Sequence, residues 1–218
     1  MTVRKEQVDY GVYLVTDRDL CTGRALEDVV HGAVAGGAGV VQLREKHADT
    51  RTFVELARAL RGHLEPLGVP LLINDRVDVA LAARAHGVHV GQKDMHPADV
   101  RALLGHEAII GLSVETMAQV KQAEQLDVDY LGVSPVFATA TKTDTAEPWG
   151  LDGLRRLRLV TRHLLVAIGG IHEGNAADVL LAGADGVAVV SAICAAPDPR
   201  VAASALRRAV AGCRGEGW

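Results

Sequence analysis

Cysteine is scarce in this chain, and long apolar runs are missing. Cys21, Cys194 and Cys213 are the three cysteines among 218 residues, too few and too scattered for a disulfide framework or a zinc knuckle. The first residues, Met1-Thr2-Val3-Arg4-Lys5-Glu6, lack the apolar core of a signal peptide. Apolar runs stop at strand length, far short of the roughly 20 residues that a membrane span needs. We therefore expect a cytoplasmic protein in a reducing compartment.

Several functional signatures are absent as well. The net charge of -4, with no basic tail, gives no electrostatic argument for nucleic-acid binding. No Gly-x-Ser-x-Gly elbow marks Ser113 or Ser191 as a nucleophile, and no dinucleotide fingerprint is present. The histidines form no metal-spaced pair, and His86 and His89 are predicted at strand edges. The chain therefore offers few nucleophiles or dedicated bases.

What the chain does have is a regular alternation of two patterns, with 49% hydrophobic residues to build a core. Short runs rich in Val, Ile and Leu predict buried parallel strands. These runs are Val12–Thr16, Val40–Leu43, Leu71–Ile73, Val88–Val90, Ile109–Leu112, Tyr130–Val133, Leu164–Ile168 and Val187–Val190. Stretches with helical spacing lie between and after them: Leu26–Ala35, Thr52–His63, Val77–Arg84, Ala98–Leu104, Met117–Gln125, Leu151–Arg158, Ala176–Leu181 and Arg200–Cys213.

Eight strands, each followed by a helix, predict an α/β fold, a single (β/α)8 TIM barrel that spans residues 1–218 as one domain. An open doubly wound sheet is the alternative. It needs fewer strands and usually a glycine-rich turn after the first one. Here Thr16-Asp17-Arg18 follows the first predicted strand, so the barrel is favoured.

The second predicted strand runs directly into charge, as Val40-Val41-Gln42-Leu43-Arg44-Glu45-Lys46. Side chains alternate along a strand, so Gln42, Arg44 and Lys46 point to one side and Leu43 and Glu45 to the other. A row with two cations suits the mouth of a closed sheet that faces an anion, because unpaired buried charge is costly. A strand that simply runs out into solvent is the alternative.

Two acidic residues follow neighbouring predicted strands. Asp75 comes after the third strand and Asp94 after the fourth, so both carboxylates should reach one rim. Mg²⁺ binds through one or two carboxylates together with substrate phosphate oxygens. Each residue also has a purely structural interpretation, Asp75 as a helix N-cap and Asp94 as a loop acid before Pro97. As a pair beside a cationic row, they favour a magnesium site.

The last strands and the loop after the sixth predict a phosphate site and a lid. Gly169-Gly170 follows the seventh strand and Val190-Ser191 ends the eighth, at the two loops that grip phosphate in many barrels of this type. A tight turn is the alternative for the glycine pair.

The threonine-rich segment 134–145, with Lys142 near its centre, is typical of a lid over substrate. A surface loop without function is its alternative.

With these residues in view, the sequence resembles the thiamine phosphate synthase family over nearly its whole length. The motifs that carry the resemblance are Tyr13-Leu14-Val15-Thr16-Asp17-Arg18, Gln42-Leu43-Arg44-Glu45-Lys46, Ile73-Asn74-Asp75-Arg76, Gly91-Gln92-Lys93-Asp94, Gly111-Leu112-Ser113, Thr139-Ala140-Thr141-Lys142, Ala167-Ile168-Gly169-Gly170-Ile171 and Ser191-Ala192-Ile193.

The resemblance implies that the protein joins 4-amino-2-methyl-5-pyrimidinylmethyl diphosphate to a thiazole phosphate and releases pyrophosphate. It implies Mg²⁺ as cofactor, held by Asp75 and Asp94. It also implies catalytic roles for Arg44, Lys46, Ser113 and Lys142. The implied substrate-binding residues are Gln42, Leu43, Arg44, Glu45, Lys46, Asn74, Ser113, Thr139, Ala140, Thr141, Lys142, Gly169, Gly170, Val190 and Ser191.

The sequence departs from the family pattern at two places, and two other functions stay open. Val114-Glu115 stands where a Thr-His pair is usual, and Trp149 where a smaller apolar residue is common; we expect altered packing from both.

A thiazole tautomerase-like paralogue and a catalytically silent phosphometabolite-binding barrel are the alternative functions. The expected partners are small-molecule substrates, without nucleic acid or a membrane, and self-association into a homo-oligomer stays open.

Overall fold

Eight short parallel strands close into a barrel, with each strand paired to its neighbours in chain order and β8 paired to β1. The structure is a computed structural model that describes residues 3–139 and 147–214. The strands are β1 (Val12–Val15), β2 (Val40–Leu43), β3 (Leu71–Asn74), β4 (Gly87–Val90), β5 (Ile109–Val114), β6 (Tyr130–Val133), β7 (Leu164–Ile168) and β8 (Gly186–Val189). The prediction of a (β/α)8 barrel is confirmed.

Helices surround the barrel in the expected alternation. In the described ranges they are α1 (Leu26–Ala35), α2 (Thr50–Leu64), α3 (Val77–Ala83), α4 (Pro97–Leu104), α5 (Met117–Ala123), α6 (Gly150–Arg158), α7 (Ala176–Leu181), α8 (Ser191–Cys194) and α9 (Pro199–Arg214). None of the helices described is long and apolar enough to cross a membrane. The short helix α8, directly after β8, is the element that lies closest to the predicted phosphate site.

Element boundaries differ from the predictions by a few residues, for local reasons. Helix α2 begins two residues early because the Asp49 carboxylate accepts a hydrogen bond from the Thr52 N–H and caps the helix. Strand β5 continues past Leu112 to Val114, since its ladder with β6 pairs Ser113 with Gly132 and Val114 with Val133. This extension brings Ser113 into the barrel wall.

Apolar side chains fill two separate layers. Outward-facing residues such as Val41 and Leu43 pack with Phe53 and other helix residues between the barrel and its shell. Inside the barrel, the lower half is filled by a cluster that includes Tyr10, Tyr13, Val40, Leu72, Ile109, Tyr130 and Val166. The interior cluster forms a floor, above which the carboxyl ends of the strands surround open space.

The register of the strands raises polar side chains above this floor. Asn74 pairs with His89 across β3 and β4, and His89 pairs with Gly111 across β4 and β5. Because every second residue of a strand faces inward, one polar layer comes from several strands. The closed sheet therefore gathers side chains that are far apart in sequence.

Arg101 braces the opposite end of the barrel. Its guanidinium, 7% exposed, donates from Nη1 to the Ala108 carbonyl at 2.6 Å. Nη2 donates to the Asp127 carbonyl at 3.2 Å and to the Asp129 carboxylate at 3.0 Å. These bonds join α4 to the segments that enter β5 and β6.

We expect Arg101→Met to lower the free energy of unfolding by about 3 kcal/mol, because it removes the buried guanidinium that donates to two carbonyls and to the Asp129 carboxylate. Asp129 keeps the Ile110 N–H and the Lys5 ammonium as partners. Urea unfolding measures the change. Arg155→Met is the control, since its pair with Asp152, 88% exposed, lies in water and should contribute less than about 1 kcal/mol. Equal effects of the two variants would contradict the bracing role.

Candidate active site

A cavity of about 660 Å³ opens at the carboxyl ends of the strands, a volume typical of small-molecule sites. Most of the predicted site residues line it. They are Gln42, Arg44, Lys46, Asn74, Asp75, Asp94, Ser113, Thr139, Gly169, Gly170, Val190 and Ser191. The closed barrel thus brings together residues from seven strands, β2 to β8, and the loops that follow them.

Five other predicted residues are not among this lining. Leu43 is fully buried in the layer between barrel and helices. Glu45 points away from the cavity and pairs with Arg18 at 3.1 Å. Ala140, Thr141 and Lys142 lie outside the described residues. The alternation along β2 explains the first two, because Leu43 and Glu45 have the outward parity of the strand.

The polar row of β2 faces the cavity as its parity predicts. Gln42 is 4% exposed, and Arg44 and Lys46 line the cavity above it. The Thr16 hydroxyl accepts a hydrogen bond from the Arg44 N–H at 3.0 Å. The Arg44 guanidinium lies 3.5 Å from the Asp17 carboxylate. Asp17 lies in the loop after β1, so this loop orients Arg44 through the ion pair.

The two predicted metal ligands meet at the rim. Asp75 follows β3 in the left-handed backbone region, with φ of 63°, and its N–H donates to the His89 carbonyl at 2.8 Å. The Asp94 carboxylate accepts from the Gly91 N–H at 2.7 Å and also makes a hydrogen-bond contact with the Asp75 carboxyl. Helix α3 has no side-chain cap, so Asp75 does not serve as its N-cap.

Burial and the neighbouring carboxylate change the acidity of Asp75. Partial burial, followed by the contact with Asp94, raises the pKa of Asp75 from 3.8 to about 6, against the smaller opposing effects of Asn74 and Arg44. Two carboxyl groups held in contact need a proton or a cation between them. Among the described residues, no group of three or more His, Cys, Asp or Glu side chains is placed to hold a metal ion. Mg²⁺ binds through one or two carboxylates together with phosphate oxygens, so the Asp75–Asp94 pair is the candidate for it.

The far side of the cavity presents backbone rather than charge. Gly169 and Gly170 have φ of 105° and 65°, which favours glycine. A Cβ on Gly170 would stand 2.8 Å from the Ala138 carbonyl oxygen. The Asn175 amide holds the Gly170 carbonyl at 3.0 Å and does not cap α7. Helix α8 begins at Ser191, and the first N–H groups of a helix have no partner within it.

Sequence reasoning missed three residues on the cavity floor. His89, expected at a strand edge, points into the barrel instead and hydrogen-bonds Tyr130 and Ser113; that expectation was wrong. Tyr13 and Tyr130 also line the cavity. The signal available in the sequence was parity, because Gly87, His89 and Gly91 alternate with outward-facing valines.

A family model described as thiamine monophosphate synthase matches residues 12–193. The chain belongs to the thiamine monophosphate synthase family.

Relatives in this family are similar over nearly their full length. A thiamine-phosphate synthase of Albidiferax ferrireducens is 60% identical over 199 residues, which is 91% of this chain and 91% of the relative. One of Solidesulfovibrio magneticus is 59% identical over 93% of this chain and 96% of its own. The solved thiamine phosphate pyrophosphorylase of Pyrococcus furiosus superposes with a TM-score of 0.87 at 38% identity, over 95% of this chain and 98% of that one.

The two departures from the thiamine monophosphate synthase pattern differ in position. Glu115 lines the cavity beside Gln119, so this departure lies in the site itself. Gln119 Oε1 accepts a hydrogen bond from the Glu115 N–H at 2.7 Å. Trp149 precedes α6, and its side chain packs over Gly153, in line with the packing role expected for it.

We expect Asp75→Asn to stabilise the metal-free protein above pH 6. Because the folded state retains the Asp75 proton up to about pH 6 and the ordinary pKa is 3.8, wild-type stability falls as pH rises through this window. The penalty then persists at higher pH. For a fully buried carboxyl, this rise in pKa would lower the free energy of unfolding at high pH by about 3 kcal/mol. Because Asp75 is half-exposed, solvent screening reduces the loss to about 1 kcal/mol. Asparagine carries no charge and tolerates the left-handed backbone.

Urea unfolding with a chelator, at about pH 4 and about pH 8, measures this linkage. The stabilising effect of Asp75→Asn should grow between the two conditions. Asp78→Asn is the control, because hydrogen bonds from Arg76 lower the pKa of Asp78 and its removal should not stabilise the protein. An Asp75→Asn effect that does not change with pH would refute the linkage.

Proposed function

We propose that the protein is a thiamine phosphate synthase, which condenses 4-amino-2-methyl-5-pyrimidinylmethyl diphosphate with 4-methyl-5-(2-phosphoethyl)thiazole or its carboxylated form. The observation that carries the proposal is the contact of Asp75 and Asp94 in the same cavity as Arg44 and Lys46. Paired carboxyls beside two cations suit a diphosphate and its metal. Family membership supports the same substrates.

On this proposal the diphosphate lies against the β2 row. Arg44 and Lys46 neutralise its charge, while Asn74 and Ser113 supply uncharged polar contacts at the ends of β3 and β5. Lys142, outside the described residues, would add a third cation. Asp75 and Asp94 would hold Mg²⁺, and the bound ion would neutralise the charge that develops on the departing oxygen.

The thiazole phosphate then occupies the opposite side of the cavity. Thr139, Gly169, Gly170, Val190 and Ser191 offer hydroxyl and backbone N–H groups there. A phosphate at these loops is the common use of the barrel. The two substrates would thus face each other across the cavity. Ala140 and Thr141 lie outside the described residues and directly follow Thr139 in the sequence.

The reaction we propose is dissociative. The bond between the pyrimidine methylene carbon and the diphosphate oxygen breaks, and the electron pair leaves with pyrophosphate. The electron-rich aminopyrimidine stabilises the methylene cation, and the thiazole nitrogen donates its lone pair to form the new C–N bond. No protein nucleophile takes part in these steps. The protein stabilises the leaving group and excludes water.

Pyrophosphate release tests the proposal. We expect release only when the pyrimidine diphosphate, the thiazole phosphate and Mg²⁺ are present together. A tautomerase-like paralogue would change the thiazole phosphate alone, and a silent barrel would bind ligands without turnover. Absence of release with both substrates and Mg²⁺ would overturn the proposed function.

Two variants test the leaving-group apparatus. Asp94→Asn and Lys142→Ala should each reduce kcat by about a hundredfold or more, since Asp94→Asn weakens the hold on Mg²⁺ and Lys142→Ala removes a cation that acts on the departing group. Lys121→Ala, on the exposed face of α5, is the control and should retain full activity. Circular dichroism checks the fold of each variant. Near-wild-type turnover in both test variants would remove the proposed mechanism.

A further inference from the structure

A chain of hydrogen bonds crosses the cavity floor and joins two predicted substrate contacts. Gln42 Nε2 donates to the Tyr13 hydroxyl at 2.7 Å, and the Tyr13 and Tyr130 hydroxyls lie 2.8 Å apart. The Tyr130 hydroxyl is 2.8 Å from His89 Nδ1. His89 Nε2 is 2.8 Å from Ser113 Oγ. This chain of hydrogen bonds therefore runs from β2 through β1, β6 and β4 to β5.

The barrel is shaped around this chain. Tyr13 and Tyr130 are each 1% exposed, so solvent does not compete for their hydroxyl groups. A Cβ on Gly111 would overlap the Tyr130 hydroxyl and stand 2.5 Å from His89 Nδ1. A Cβ on Gly132 would stand 2.7 Å from His89 Cε1. Two glycines thus leave the space that the His89 and Tyr130 rings occupy.

The proton positions follow from one rule, that a buried O–H or N–H needs an acceptor. Since Tyr13 Oη already accepts from Gln42, its own proton goes to Tyr130 Oη, the acceptor that the described residues offer it. Tyr130 must then donate to His89 Nδ1. That nitrogen carries no proton, so the neutral His89 ring is protonated at Nε2 and donates to Ser113 Oγ.

The direction of these hydrogen bonds has a chemical effect at Ser113, where the series of bonds ends. Its oxygen accepts from His89, so its own O–H proton is left for an acceptor in the cavity that Ser113 lines. If the Gln42 amide were reversed, every bond of the chain would reverse as well. Ser113 would then donate its proton to His89 Nε2, and toward the cavity its oxygen could only accept a hydrogen bond.

We propose that Tyr13, Tyr130 and His89 are positioning residues, which transmit the orientation of the Gln42 amide and hold Ser113 as a hydrogen-bond donor toward the diphosphate. The inference rests on the proposed function for the identity of that acceptor. A diphosphate oxygen gains negative charge as it departs, and a donor already aligned with it needs no reorganisation at that moment. None of the three residues has to touch the reacting atoms.

The tautomer of His89 tests the direction of the chain without any substrate. In protein labelled with ¹⁵N-histidine, with His89→Asn used to assign the signals, we expect the Nε2-protonated neutral ring. Tyr130→Phe removes the donor to Nδ1 and should shift the ring toward a mixture of tautomers. A His89 ring protonated at Nδ1 in the wild type would overturn the proposal.

Kinetics test the effect at Ser113. Tyr130→Phe and Tyr13→Phe should each lower kcat about tenfold and change KM less than about twofold, because the donor matters most in the transition state. Tyr10→Phe is the matched control: its ring lies 5.1 Å from that of Tyr130, but its hydroxyl is not part of the chain. This variant should keep the wild-type kcat.

A double-mutant cycle separates positioning from a general loss of structure. In a Ser113→Ala background, Tyr130→Phe should have little further effect on kcat, since the group on which it acts is gone. Multiplicative losses in the cycle would overturn the proposal, as would wild-type kcat in both tyrosine variants. If wild-type protein released no pyrophosphate, the proposed function would fail, and the tautomer measurement would still decide the direction of the chain.

Discussion

The contact between the Asp75 and Asp94 carboxyl groups is unfavourable in itself, and the closed barrel enforces it. Burial, and after it the neighbouring Asp94 carboxylate, raises the pKa of Asp75 to about 6. Left-handed backbone at Asp75 and a hydrogen bond from Gly91 to Asp94 hold the two groups in place. A local cost of this kind persists where the surrounding fold overdetermines the geometry. Arg44 and Lys46 line the same cavity, so on the proposed function the site would be balanced when both an anion and a cation are bound.

Much of this arrangement could be predicted from sequence, because it depends on local pattern. Apolar runs of strand length located the eight strands, and parity within β2 assigned Gln42, Arg44 and Lys46 to the interior. The same parity assigned Leu43 and Glu45 to the outside, where they lie. Their inclusion as substrate contacts came from treating the motif as one block rather than residue by residue.

The floor of the site could not be predicted in the same way. The chain from Gln42 to Ser113 depends on the register between β1, β2, β4, β5 and β6, and no single strand contains that information. His89 has no metal-ligand spacing to another histidine, and it hydrogen-bonds Tyr130 and Ser113 on neighbouring parts of the barrel. Gly111 and Gly132 carried no signal of their own, since their role is to leave room for rings on other strands.

The apolar cluster beneath the cavity also constrains molecular traffic. Tyr10, Leu72 and Ile109 belong to the packed layer that closes the lower half of the barrel, so the cavity has no exit through the floor. On the proposed function, both substrates would enter and both products would leave through the mouth at the carboxyl ends of the strands. The barrel would then share one passage between two arrivals and two departures.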